Sequence, residues 1–190
     1  MKLYNLTNAY DKTRQEKFHD WSCEEHAKSN SRYSDYPYKL HLDAVMNVAK
    51  QYLYLIEKED EKFFVLCSCD GHDLVEDLGV GYYNKIVNHE LFKDNDGKKI
   101  ADIIYNVTNE LGKNRKERSE KTYPKIASCR LSTFVKLCDR IANAKFSYYI
   151  NDEKGMYAKY QAEHPDFYKA LHNPNHGFDD MWKEVNRLLL

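Results

Sequence analysis

Apolar residues recur at helical spacing along most of the chain. In "LHLDAVMNVAKQYLYLI", Leu40, Ala44, Val45, Val48, Tyr52 and Leu55 fall on one face, which predicts a strongly amphipathic helix. Ahead of it, "RQEKFHDWSCEEHAKSNS" predicts a first helix ending near Asn30 and Ser31, after an irregular stretch over residues 1–14. "RYSDYP" has turn chemistry, with Pro37 closing a loop. "DEKFFVLCSCDGHDLVEDL" sends Phe64, Val65, Leu66 and Cys69 toward a core and then turns acidic. "GVGYYNKIVNHELF" and "KKIADIIYNVTNEL" predict two further helices across the turn "KDNDG", and "GKNRKERSEKTYPKI" begins as a basic loop. "CRLSTFVKLCDRIANAKF" is helical with Leu131, Phe134, Val135, Leu137, Cys138 and Ile141 as its core side. "MYAKYQAEHPDFYKALH" and "FDDMWKEVNRLLL" complete the pattern. No segment shows a convincing period of two. The expectation is an all-α bundle of about eight or nine helices.

At 190 residues the chain fits one domain, read as a single unit over 1–190, and is long enough to bury a core without covalent staples. Seven Gly and four Pro agree with long helices and few tight turns. The net charge of −1 gives no reason to expect nucleic acid or a membrane surface as partner. No run of about 18 apolar residues is present, and the N-terminus has no apolar signal core, so a cytoplasmic location is expected. The five cysteines, Cys23, Cys67, Cys69, Cys129 and Cys138, contain no CxxC pair, and they read as reduced thiols. No glycine-rich phosphate loop, GxSxG elbow or Cys–His nucleophile pair is evident.

The acidic segment carries the chemistry. Asp70, His72, Asp73, Glu76 and Asp77 crowd into "CSCDGHDLVEDLGV". If Asp70–Leu78 is one helix, His72 and Asp73 can both reach an ion at its edge, and Glu76 and Asp77 lie one turn further on. That division suits a hydrolase, with ligands to hold the ion and carboxylates to move protons. The same segment reads equally well as a charged, solvated helix face. Two other residues bear on the choice. His41 stands on an otherwise apolar helix, and Asp139 stands among Leu137, Cys138 and Ile141, where an unpaired carboxylate is costly to bury. Together with His72 and Asp73 they make a set of two imidazoles and two carboxylates on three helices, suited to Mn²⁺, Fe²⁺ or Zn²⁺.

In order and spacing these residues resemble the HD-domain metal-dependent phosphohydrolases, and more narrowly the hydrolase domain of the RelA/SpoT alarmone enzymes and the stand-alone small alarmone hydrolases. "PYKLH" is similar to the family's PYxxHP, "HDLVED" to HDxxED and "KLCDRIAN" to KLADRLxN, over roughly residues 26–146. The resemblance implies an HD-domain bundle in which His41, His72, Asp73 and Asp139 bind one ion, usually Mn²⁺, while Glu76 and Asp77 position and deprotonate the attacking water. It implies that Asn143 contacts the nucleotide sugar, that Arg32 holds base and phosphates, and that Lys136 and Tyr160 support the same pocket. The basic run Lys113–Lys121 either faces the polyphosphate or is a solvated loop. Departures from the family are Leu42 after His41, "CDG" before His72, and Ala142.

The function so implied is nucleotide (pyro)phosphohydrolysis, of the guanosine 3′,5′-bis(diphosphate) 3′-pyrophosphohydrolase type, with a small-molecule nucleotide as the partner. An HD-type nucleotidase, a deoxynucleotide triphosphohydrolase and a non-catalytic nucleotide-sensing module are the alternatives. Asp70 is left without a role.

Overall fold

Nine consecutive residues, Phe63–Gly71, are buried. Only a helix packed on all sides accommodates such a run. This is the C-terminal part of α3 (Glu59–Gly71), which in the computed structural model packs against α1 (Ala9–Lys28), α2 (Lys39–Tyr52), α6 (Asp96–Val107) and α8 (Arg130–Tyr149). The structure describes residues 9–150 and 155–190. The remaining α-helices are α4 (Leu74–Leu78), α5 (Gly81–Val87), α7 (Arg115–Ala127), α9 (Met156–Leu171) and α10 (Asp179–Leu189). The all-α architecture is therefore as expected. The described residues form ten α-helical segments, the five-residue α4 following α3 after a two-residue break.

Several boundaries differ from the expectation, each for a local reason. Residues 9–14, expected to be irregular, already belong to α1, while residues 1–8 lie outside the described residues. The helix ends at Lys28 and Asn30 takes a left-handed conformation (φ 57°), a common way to leave a helix. "RYSDYP" is a miniature antiparallel hairpin, β1 (Arg32–Tyr33) paired with β2 (Tyr36–Pro37). The basic stretch expected to begin as a loop is helical from Arg115. Asn114 caps it by accepting from the Glu117 backbone N–H at 2.9 Å, and the Glu117 carboxylate accepts in turn from the Lys113 N–H. That reciprocal pair sets the start of α7. The helix expected over "GVGYYNKIVNHELF" stops at Val87, where Gly97 at the start of α6 packs so closely that a Cβ would lie 2.5 Å from the Val87 carbonyl oxygen.

The core is built of bulky side chains. Phe18, Leu42, Phe134, Phe167 and Phe178 are all at most 1% exposed, and burying each such side chain stabilises the fold by roughly 1.5–3 kcal/mol. On α8 nearly every residue from Ser132 to Ala144 is buried, and Lys136, Asp139 and Asn143 form a polar stripe three and four residues apart on one face. That stripe looks toward the start of α2 and the α3–α4 junction, where the polar cluster lies.

Candidate metal centre

His41 sits in the first turn of α2, just after the hairpin, and is 2% exposed. His72 and Asp73 form the two-residue break between α3 and α4, so the single helix expected over Asp70–Leu78 is interrupted. The break turns two adjacent side chains toward one point. Gly71 allows it by close approach, because a Cβ there would meet Ile104 Cδ1 at 2.9 Å and Phe18 Cε1 at 3.2 Å. Asp139 arrives from the middle of α8.

These four residues converge. His41 Nε2 lies 3.1 Å from His72 Nε2 and 3.4 Å from Asp73 Oδ2. His72 Nε2 is 2.8 Å from Asp73 Oδ2. Asp139 Oδ1 stands 3.5 Å from His41 Nε2 and 3.7 Å from His72 Nε2. His41, His72 and Asp73 could hold a metal ion among them, their ligand atoms all falling within 4.8 Å of one another. His72 Nδ1 donates to the Cys69 carbonyl oxygen at 2.9 Å, which leaves the lone pair of the neutral ring on Nε2. Two imidazole Nε2 atoms facing each other at 3.1 Å between carboxylate oxygens want a cation or a proton between them. The donor set therefore fits a divalent ion.

The electrostatics agree with the geometry. Burial alone would lower His72, but Asp73 and Asp139 outweigh it and hold the ring well above the usual histidine range. Burial would raise Asp73 and Asp139; the imidazoles pull both down, and for Asp139 the Lys136 ammonium is the largest of these influences. Asp77 is the exception: burial, with the neighbouring charge of Asp73, pushes it up to about 6.

The other expected residues fall around this cluster in distinct ways. Asn143 donates to Asp139 Oδ1, and Lys136 Nζ donates to Asp139 Oδ2 at 2.8 Å, so both are joined to the centre through one carboxylate. Glu76 is held by Asn109, whose backbone N–H and side-chain amide reach its two oxygens at 3.0 and 2.8 Å. Asp77 lies with Oδ2 3.8 Å from His26 Nδ1. Tyr160, on α9, is 8% exposed beneath the Arg140 guanidinium at 4.7 Å. Arg32 is exposed on the hairpin and donates to the Asp35 carbonyl oxygen. Of the basic run 113–121, Arg115 is committed to Glu163 and Lys121 to Glu117.

Comparison with models of protein families, with curated proteins and with solved structures finds no match for the chain.

Four residues around the centre escape sequence reading. The Tyr38 hydroxyl donates to Asp73 Oδ2, and its ring stacks on His26 at 4.2 Å. Tyr33 stacks on His41 at 4.5 Å and donates to Asn143 Oδ1 at 2.7 Å. His26 is fully buried with neither ring nitrogen hydrogen-bonded, and burial drops it to about 4. Asn109 is the fourth. Tyr38 lies inside "PYKLH" and had a visible signal; Tyr33, His26 and Asn109 acquire their roles only through tertiary contact.

Proposed function

We propose that this chain is a metal-dependent phosphohydrolase of nucleotides, and that its substrate class is a guanosine 3′,5′-polyphosphate cleaved at the 3′-pyrophosphate. The observation that carries the reading is the convergence of His41, His72, Asp73 and Asp139, with Lys136 and Asn143 suspended from Asp139 on the same face of α8. The resemblance of "PYKLH", "HDLVED" and "KLCDRIAN" to alarmone hydrolase motifs supplies the substrate class.

In this reading the four residues hold one divalent ion, Mn²⁺ by family likeness, which supplies Lewis-acid charge at a phosphoryl oxygen and acidifies water. The chain's own groups do the rest. Glu76 and Asp77, one turn beyond the ligands, accept the proton of the attacking water and return it to the leaving oxygen. Asn109 fixes the Glu76 carboxylate with two hydrogen bonds, so that no rotamer search precedes transfer. Lys136 brings positive charge to the side of the pocket facing the phosphates, and Asn143 offers its amide to the ribose.

The test is turnover of a nucleotide panel with added Mn²⁺. Pyrophosphate released from a 3′-pyrophosphorylated guanosine nucleotide supports the proposal. Orthophosphate from monophosphates, or triphosphate from deoxynucleotides, transfers the protein to another phosphohydrolase class. Tight nucleotide binding without turnover makes it a sensing module.

A further inference from the structure

Asp70 plays no part in the centre just described. It is fully buried near the end of α3 and points away toward α1, where its carboxylate accepts from Gln15 Nε2 at 2.7 Å and from His19 Nδ1 at 2.7 Å. The opposite ring nitrogen, His19 Nε2, lies 3.5 Å from Cys23 Sγ, one helical turn along α1. A carboxylate that orients an imidazole, which in turn meets a thiol, is the arrangement that activates cysteine nucleophiles. His19 and Cys23 stand four apart on α1, and the fold brings in the orienting carboxylate from 51 residues away along the chain.

We propose that Cys23 is an activated thiol, a site of covalent modification by low-molecular-weight disulfides. Cys23 is half-buried, whereas Cys67, Cys69 and Cys138 are buried. His19 lines a cavity of about 600 Å³ together with Gln15, Asp20, Lys39, Asp43 and Lys50, and Cys23 follows it one helical turn along α1. The groups facing the pair are Asp70 from α3, Lys39, Asp43 and Lys50 from α2, and Asp20 on α1 itself. Lys39 Nζ and Asp43 Oδ1 each lie 3.0 Å from His19 Nε2, and the two pair with each other at 3.1 Å. The hydrogen bond to Asp70, and then that to Cys23, hold the His19 imidazolium up to about 10 against the opposing effect of burial. At neutral pH His19 is therefore a cation, with its ring facing the Cys23 sulfur.

The step balances without any group the protein lacks. The Cys23 thiolate attacks one sulfur of the disulfide, a new Sγ–S bond forms as the old S–S bond breaks, and the departing thiolate takes the proton carried by His19. Cys23 ends as a mixed disulfide and one equivalent of free thiol is released. None of this depends on a metal ion or on the phosphohydrolase reading.

The experiment treats the full chain with oxidised glutathione at pH 6.5, quenches with acid, and follows each cysteine by mass spectrometry. Cys129, also half-buried but without an imidazole partner among the described contacts, is the internal reference. The expected result is modification of Cys23 about tenfold or more faster than Cys129, with a rate that persists below the ordinary thiol range. His19→Gln should slow Cys23 about tenfold at pH 6.5 and return it to the pH profile of a simple thiol. A Cys23 rate no greater than that of Cys129 overturns the proposal, a comparison that needs no variant. An unchanged rate in a folded His19→Gln protein overturns it equally.

Discussion

Nε2 of His41 and Nε2 of His72 approach to 3.1 Å, while His72 Nδ1 is committed to the Cys69 carbonyl oxygen. Two ring nitrogens so placed need a proton or a cation between them, and Asp73 and Asp139 close the remaining sides. A bound ion should therefore stabilise the fold as well as the site, by about 2.7 kcal/mol at a hundredfold excess over its dissociation constant. Added Mn²⁺ is expected to raise the Tm of the chelator-treated protein by several degrees. His72→Ala and Asp139→Ala should lose both the shift and the bound ion by metal analysis. Full ion occupancy in both variants would remove the ligand assignment.

Glu76 tests the catalytic part of the reading separately from the metal part. Its carboxylate is gripped by Asn109 and makes no contact among those described with His41, His72 or Asp139. Glu76→Ala should fold, retain the ion and lose about 10²-fold in kcat. Asn109→Ala, which removes the side-chain bond to the carboxylate and keeps the backbone one, should lose several-fold in kcat at nearly constant KM. Equal rates in wild type and Glu76→Ala at saturating metal return Glu76 to the solvated surface.

How much of this was legible follows from where each signal resides. Asp139 was visible because a carboxylate amid Leu137, Cys138 and Ile141 is anomalous in the chain itself, and the 136-139-143 stripe then obeys helical spacing. The acidic segment was visible as composition, but its geometry was not: a continuous helix was expected where the chain breaks after Gly71, and the close packing of Ile104 and Phe18 on that glycine comes from two other helices. The start of α7 was hidden by charge, which drew attention from the Asn114–Glu117 cap three residues apart. His19 and Cys23 already stand four apart on a helix. Only the fold brings Asp70 behind them.

Gly71→Ala probes that break. The new methyl group would collide with Ile104 Cδ1 in a site where Ile104, Leu74 and Phe18 are all fully buried. Overpacking of this kind costs about 1–3 kcal/mol, and the strain falls one residue from His72. Denaturant unfolding should show that loss, and calorimetric titration should show weaker Mn²⁺ binding than in wild type. A variant with wild-type stability and affinity would mean that the α3–α4 junction adjusts freely.

The proposed nucleotide-binding role is tested at Arg32 and Asn143. Arg32 is exposed on the hairpin next to Tyr33, which stacks on His41, while Asn143 bridges Asp139 and Tyr33. Arg32→Ala should raise KM for nucleotides with little effect on ion binding, because its exposed guanidinium, which donates to the Asp35 carbonyl oxygen, can turn to stack or fork onto a ligand. Asn143→Ala should weaken purine nucleotides more than simple phosphate esters. Unchanged KM in both variants would place the substrate elsewhere, and the alarmone reading would be the first to be given up.

Far from the centre, Glu184 gives the pH dependence with the clearest sign. Its carboxylate accepts two bonds from Arg187 at 2.8 and 2.9 Å and pairs with Lys145 at 2.9 Å, which ties α10 to α8. The Arg187 hydrogen bonds, with Lys145 adding to them against the effect of burial, lower it from 4.5 to about 2. A group depressed by folding contributes stability that is fully present above its unfolded value and disappears as pH falls through the folded one. At about 1.4 kcal/mol per pH unit the displacement bounds the contribution near 3 kcal/mol. Solvent screening of a partly exposed cluster reduces the expected loss in Glu184→Gln to about 1 kcal/mol at pH 7. Urea unfolding of both proteins between pH 7 and pH 3 should show that difference constant down to about pH 5 and narrowing below it. A difference that grows on acidification would reverse the sign and show that Glu184 is protonated more readily in the folded chain than in the unfolded one.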